Sequence, residues 1–313
     1  MVKKIVIALG GNALQSGGDA TAEAQLETVK ATCEYIADIC KEGYEVTLVH
    51  GNGPQVGRIL LASEAAKDVT PAMPFDVCGA MSQGYIGYHL QQSLGYALKN
   101  RGINMPVVSL VTQLVVDEND GGFQNPTKPI GAFYSEEEAK KIAAEHGFTM
   151  KEDSGRGYRR VVASPIPKEI VEIDAVKNLL GSAVVITCGG GGVPVIKNKD
   201  EQLKGVAAVI DKDFAAELLA ENINADAFVI LTEVDQVAIN FNKPDQKNLA
   251  NVTYAECEKY IEEGHFAPGS MLPKVQAAMK FVKANPTQKA IIGSLAKGKD
   301  AILGKSGTVI VYE

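Results

Sequence analysis

Short runs of β-branched and aliphatic residues recur along this chain, separated by stretches with helical spacing of apolar residues. The strand-like runs are Lys4 to Leu9, Glu45 to His50, Pro106 to Leu110, Ala183 to Cys188, Ala227 to Leu231, Ala290 to Ile292 and Thr308 to Tyr312. Between them the spacing predicts helices over Ala22 to Lys41, Asp213 to Asn222 and Leu272 to Ala284. Strands that alternate with helices pair in parallel, because each crossover needs a connection as long as a helix, and those helices then cover both faces of the sheet. The expected fold is doubly wound α/β: an open, mostly parallel twisted sheet sandwiched between helices.

One stretch breaks the pattern. From about Val116 to Arg160 the chain turns polar, with Asp117, Glu118, Asn119, Asp120, Gly121 and Gly122 ahead of Pro126 and Pro129. So polar a segment does not make a central strand, and we expect it to protrude as a small lid subdomain at about 116–160. Charge and lost periodicity at Asn198 to Lys204 mark a second boundary. The expected organisation is therefore two lobes, 1–200, which includes the lid, and 201–313.

Bulk properties exclude several classes. A net charge of −7 does not provide the clustered cations that nucleic acid or an anionic membrane requires. The five cysteines are scattered and lack paired CxxC spacing, which reads as reduced thiols. The first apolar run, Ile5 to Leu9, is too short for a signal peptide or a membrane span. These features point to a cytoplasmic protein with small-molecule partners.

Three glycine-rich turns each follow a predicted strand: Gly10, Gly11, Asn12; then Gly51, Asn52, Gly53, Pro54; then Gly189 to Gly192. Ligands of open α/β sheets bind at the carboxyl ends of the strands, where a glycine turn brings backbone N–H groups close to an anion. One such turn needs no ligand to explain it, but three suggest a shared crevice.

Two lysines sit in the first turns of predicted helices, where the macrodipole disfavours a cation. Lys212 lies between Asp211 and Asp213, and Lys274 follows Pro273. A phosphate suits both a helix terminus and an ammonium group, and Asp213 is placed to orient the lysines. Lys128, within Asn125, Pro126, Thr127, Lys128 and Pro129 of the lid, has the prior of an ordinary solvated loop lysine on spacing alone. The acidic run Asp117, Glu118, Asp120 lacks the twelve-residue calcium loop and reads as a solvated turn.

Two patterns fail as motifs. Gly298 to Ser306 has one residue too many for a P-loop and precedes a strand, while Gly51, Gly53 and Gly57 miss the dinucleotide fingerprint by one position. No histidine pair has metal spacing, and His50, at a strand end, reads as a packed residue.

The runs IALGGNAL, HGNGPQVG, CGGGGVPV, AVIDKDFAAELLAE, INFNKPDQ and FAPGSMLPKVQAA, in this order along nearly the whole chain, resemble carbamate kinases of the amino acid kinase superfamily. The resemblance implies an α/β/α fold, a homodimer and reversible transfer between ATP and carbamate, usually run from carbamoyl phosphate and MgADP, with Mg²⁺ accompanying the nucleotide. It assigns Lys212, Lys274 and Lys128 to the transferring phosphoryl group and Asp213 to holding the lysines. Gly10, Gly11, Asn12, Gly51, Asn52 and Gly53 would bind the carbamoyl end. Asp235, Val237, Ala238, Gly269, Met271 and Lys274 would hold the nucleotide, with Ala238 where several family members have a larger residue. Relatives acting on acetylglutamate, glutamate, aspartate or UMP carry a lysine two positions before the glycine pair; here that position is Ala8, and Lys128 is the implied substitute. The competing readings are a kinase of another small carboxylate and a non-catalytic carbamoyl-phosphate or nucleotide sensor.

Overall fold

The structure, a computed structural model, describes residues 3–15, 20–153 and 155–313. The chain begins β1 (Lys4–Leu9), α1 (Ala22–Lys41), β2 (Glu45–His50), α2 (Gly53–Ala65), α3 (Phe75–Asn100), β3 (Val107–Ser109), β4 (Gln113–Val116) and α4 (Gly121–Gln124). There follow β5 (Lys128–Tyr134), α5 (Glu136–His146), β6 (Met150–Glu152), β7 (Tyr158–Val162), β8 (Pro167–Ile170), α6 (Ile173–Leu179), β9 (Val184–Ile186), β10 (Val193–Lys197) and β11 (Leu203–Gly205). The last part holds α7 (Lys212–Asn222), β12 (Ala227–Thr232), β13 (Val237–Ile239), β14 (Lys247–Leu249), β15 (Asn251–Thr253), α8 (Tyr254–Glu262), α9 (Met271–Ala284), β16 (Lys289–Ser294), α10 (Gly298–Ile302) and β17 (Thr308–Val311).

Eight strands form the central sheet in the order β15-β17-β16-β12-β1-β2-β9-β3. Every pairing is parallel except β16 with β17. Alternate residues of β1 face opposite layers, as the two-residue strand period requires. Ile5, Ile7 and Leu9 pack with α1 and α3, whereas Val6 and Ala8 pack with α7 and α9. A strand buried on both faces has no polar side, which is why β1 reads KIVIAL. The fold is the expected α/β/α sandwich.

The longest helix escaped the sequence reading. α3 spans 26 residues and contains Gly79, Gly84, Gly87 and Gly95, while Val77, Met81, Tyr88 and Tyr96 are exposed on it. Interior glycines lower helix propensity, and apolar residues outside the core face blur the amphipathic period. Gly87 has a packing reason, since a Cβ there would run into the Ser109 side chain.

The polar insertion forms its own three-stranded antiparallel sheet, β5-β7-β6, with α5 beside it; Ser154 lies outside the described residues. That unit runs from Lys128 to Val162, so its start is later than the composition change at Val116 suggests. Val116 ends β4, in a separate sheet ordered β11-β10-β4-β8. The charged stretch Asn198 to Lys204 covers the turn of the β10–β11 hairpin, tied by Asn198 to Gln202, and the first two residues of β11.

Candidate active site

All three glycine turns leave the carboxyl ends of adjacent parallel strands, β1, β2 and β9. In the first, Gly11–Ala13 winds into a 3-10 turn. The Gly10 N–H is committed to the Leu231 carbonyl and the Gly51 N–H to the Leu9 carbonyl. The N–H groups of Gly11, Asn12 and Gly53, at the starts of that turn and of α2, have no backbone partner among the described residues. These are the donors a helix start leaves for an anion. The third turn packs beneath the second: Gly190 has φ of 66°, and a Cβ there would strike the Asn52 side chain.

The two helix-start lysines meet on one carboxylate. Asp213 is 2% exposed, and its Oδ1 accepts from Lys212 Nζ at 2.6 Å while Oδ2 accepts from Lys274 Nζ at 3.0 Å. Helices α7 and α9 pack side by side, which carries Lys274 to a carboxylate 61 residues away in sequence. Asp211 caps α7, accepting from the Asp213 N–H at 3.0 Å. Its other oxygen accepts from Lys128 Nζ at 2.9 Å, bringing the first residue of the lid sheet to the same helix start. Burial alone would raise the Asp211 carboxyl, but the Lys128 ammonium and the Asp213 N–H outweigh it and hold the group below its ordinary value. Three ammonium groups thus cluster with two carboxylates, leaving one excess positive charge, which is what a polyanion needs.

Two cavities open beside this cluster. One, of about 620 Å³, is lined by Gly10, Gly11, Asn12, Lys212, Gly269 and Lys274. The other, of about 560 Å³, is lined by Ala238, Phe241, His265, Met271 and Lys274 among others. Lys274 and Glu233 border both, so a ligand in either cavity reaches the same ammonium.

Not every sequence candidate reaches these cavities. Gly51 lies next to Lys212, where a Cβ would sit 3.5 Å from Lys212 Cδ, but it lines neither cavity. Asn52 donates to Ser82 Oγ at 2.8 Å and Gly53 opens α2. Val237 is buried in β13, its N–H bonded to Thr308 Oγ1, and Asp235 forms an exposed ion pair with Lys297. His50 is buried: its imidazole is driven down to about 4 by desolvation, and its Nδ1 lies 2.8 Å from the Gly51 carbonyl. A carbonyl only accepts, so Nδ1 carries the proton and the neutral ring fixes the second turn.

Sequence reasoning missed three acidic groups. Asp211 stood in the sequence only as a neighbour of Lys212; it caps α7, and its Lys128 partner lies 83 positions away. Glu233 has no motif around it. Glu217, fully buried one turn below Asp213, pairs with Lys280 of α9 at 2.5 Å, and burial pushes its carboxyl up to about 7 against the pull of that lysine.

Residues 3–294 match the amino acid kinase family. A carbamate kinase of Clostridium perfringens is 58% identical, covering 98% of this chain and 99% of that protein. The chain belongs to the amino acid kinase family, in its carbamate kinase branch. Another carbamate kinase, of Thermococcus kodakarensis, shares 53% identity with this family member over the full length of both proteins. Among solved structures, a Giardia lamblia carbamate kinase bound to AMP-PNP superposes with a TM-score of 0.94 at 45% identity, covering 100% of this amino acid kinase and 99% of that chain.

Proposed function

We propose that the chain catalyses reversible phosphoryl transfer between ATP and carbamate, with carbamoyl phosphate and ADP giving ATP and carbamate, which breaks down to ammonia and CO2. The observation that carries this reading is the pair of lysines from two helix starts converging on buried Asp213 at the border of two cavities. In the direction of carbamoyl phosphate formation, a carbamate oxygen attacks the γ-phosphorus, the bond to the β–γ bridging oxygen breaks, and ADP leaves with that electron pair. Carbamate is already an anion, so no general base is required. The protein has only to align donor and acceptor and to offset charge on the transferring oxygens.

In this scheme Lys212 and Lys274 bind the transferring group, Asp213 sets their spacing, and Lys128 approaches from the lid. Gly11, Asn12 and Gly53 offer N–H donors to the carbamoyl end, with Gly10, Gly51 and Asn52 shaping the turns. Ala238, Met271 and Gly269 line the nucleotide side, where Asp235 and Val237 form supporting backbone.

The cleft suits Mg²⁺ brought by the nucleotide, because Asp211 and Asp213 are already committed to lysines and Glu233 is the acidic side chain lining both cavities. When bound, Mg²⁺ would neutralise charge on the nucleotide phosphates, with Glu233 to hold it.

The same proposal includes a 1–200 lobe for the acyl substrate, a 201–313 lobe for the nucleotide, and 116–160 acting as a lid. It also includes a homodimer, supported by the exposed Val77, Met81, Tyr88 and Tyr96 on α3, and a cytoplasmic location. No described helix is long and apolar enough to cross a membrane. The test mixes purified protein with carbamoyl phosphate and MgADP and measures ATP. Steady ATP formation that requires both substrates is expected, and none at any protein concentration would overturn the reading.

A further inference from the structure

A third cavity, of about 410 Å³, lies between α2 and the lid sheet and shares no lining residue with the other two. Its apolar wall is Leu60 from α2, Ile130 from β5, Ile142 from α5 and Phe148. The charged side chains that line it are Glu64 on α2, the exposed Lys67 just beyond α2, and Arg160 on β7.

Arg160 is the unusual member. Its half-buried guanidinium stacks on the Phe148 ring at 3.6 Å, yet it has no ion pair and no side-chain hydrogen bond to a described residue. The neighbouring arginines of the same hairpin behave differently: Arg156 and Arg159 both pair with Asp153, at 3.4 and 3.1 Å. Glu64 likewise has no ion-pair partner among the described residues. A guanidinium stays charged at any ordinary pH, and although Glu64 is near enough to act on it electrostatically, partial burial without a contacting carboxylate is a standing cost that a bound carboxylate would relieve. Stacking on an aromatic ring offsets only part of it. A simple anion would satisfy Arg160 but leave Glu64 facing like charge; a zwitterion satisfies both.

We propose that this cavity is a second ligand site, taking an apolar α-amino acid whose carboxylate meets Arg160, whose ammonium meets Glu64, and whose side chain fills the apolar wall. The site spans body and lid. Helix α2 follows the turn whose Gly51 lies beside Lys212, and β5 begins at Lys128, which pairs with Asp211, so an occupant ties together two elements that reach the lysine cluster. Binding there therefore shifts the affinity for the phosphorylated acyl substrate, and by linkage that substrate shifts the affinity for the amino acid.

The test is calorimetric titration of the full chain with L-leucine and L-phenylalanine in the absence of substrates, which makes it independent of the proposed reaction. At least one should bind saturably at a single site with Kd near or below about 1 mM, the range open to so small a ligand. The matching molecules lacking the amino group or the carboxylate should bind at least about tenfold more weakly, as when a charged hydrogen-bonding partner is lost. Arg160→Gln and Glu64→Gln should each weaken binding by a similar factor, and Ala132→Phe, which fills the cavity, should abolish it. All three variants should keep carbamoyl-phosphate-dependent ATP formation without added amino acid, which shows that they fold. Neither amino acid binding, equal binding of the carboxylate-only molecule, or undiminished binding to Arg160→Gln would each overturn the proposal.

Discussion

The cleft is anchored differently on its two sides. On the body side, the side chains of Lys212 and Lys274 are 13% and 15% exposed and share one buried carboxylate. On the other side, the Lys128 side chain, at the start of β5, is 31% exposed and is held by a single oxygen of Asp211, the cap of α7. The body cations are fixed before any substrate arrives, because each is positioned by a helix packed into the core. Under the proposed lid role, the Lys128 ammonium would depend on where that sheet sits. Preorganised charge accounts for rate, whereas a charge on an adjustable element acts first on binding.

Removing the shared anchor should produce the largest effect. Asp213→Ala leaves two partly buried ammonium groups unpaired, and is expected to lose most activity and to lower stability by about 3–5 kcal/mol. Denaturant unfolding with the assay repeated at saturating substrate measures both, and an active, equally stable variant would break the contrast at its source. Next, Lys212→Ala and Lys274→Ala should each reduce kcat by at least about a hundredfold, the loss typical of one preorganised electrostatic donor. Near-normal kcat in either would remove that lysine from the chemistry. Lys128→Ala should be milder and fall mainly on KM for carbamoyl phosphate, by about tenfold, as for one lost charged hydrogen bond. Equal losses of kcat in Lys128→Ala and Lys212→Ala would show that lid and body act alike.

The smallest effect concerns the packing under the body lysines. Glu217 titrates at about 7 in the folded protein against an ordinary 4.5, so the folded state holds its proton more tightly than the unfolded chain does. Its contribution to stability is therefore full below pH 4.5 and is lost as pH rises through about 7. Glu217→Gln should abolish that decline, so its Tm should gain on the parent by about 2–4 °C between pH 4.5 and 8. Parallel Tm profiles would show that the buried pair does not tune the α7–α9 contact.

Much of this organisation was legible in the residues. The bounds of β1, β2 and α1 follow from apolar spacing alone, because each is bounded by abrupt polar or glycine residues and buries a continuous face. The juxtaposition of Lys212 and Asp213 is readable because the residues are adjacent. What stayed hidden depends on tertiary contact or on competing uses of a residue. Helix α3 was obscured by its glycines and by apolar side chains on its exposed side. The Lys128–Asp211 contact joins segments that only the fold brings together. Glu217 reads as an ordinary helical acid until α9 covers it, and Gly10 and Gly51 look like anion donors until their N–H groups are found bonded to neighbouring strands.

The most direct test of two body lysines sharing one phosphoryl group is a crystal structure with ADP, Mg²⁺ and aluminium fluoride, which imitates the group in transfer. Both Lys212 Nζ and Lys274 Nζ are expected within about 3 Å of the fluoride ligands, with Asp213 still touching each. Either nitrogen remaining beyond about 5 Å, well past hydrogen-bond reach, would contradict the account.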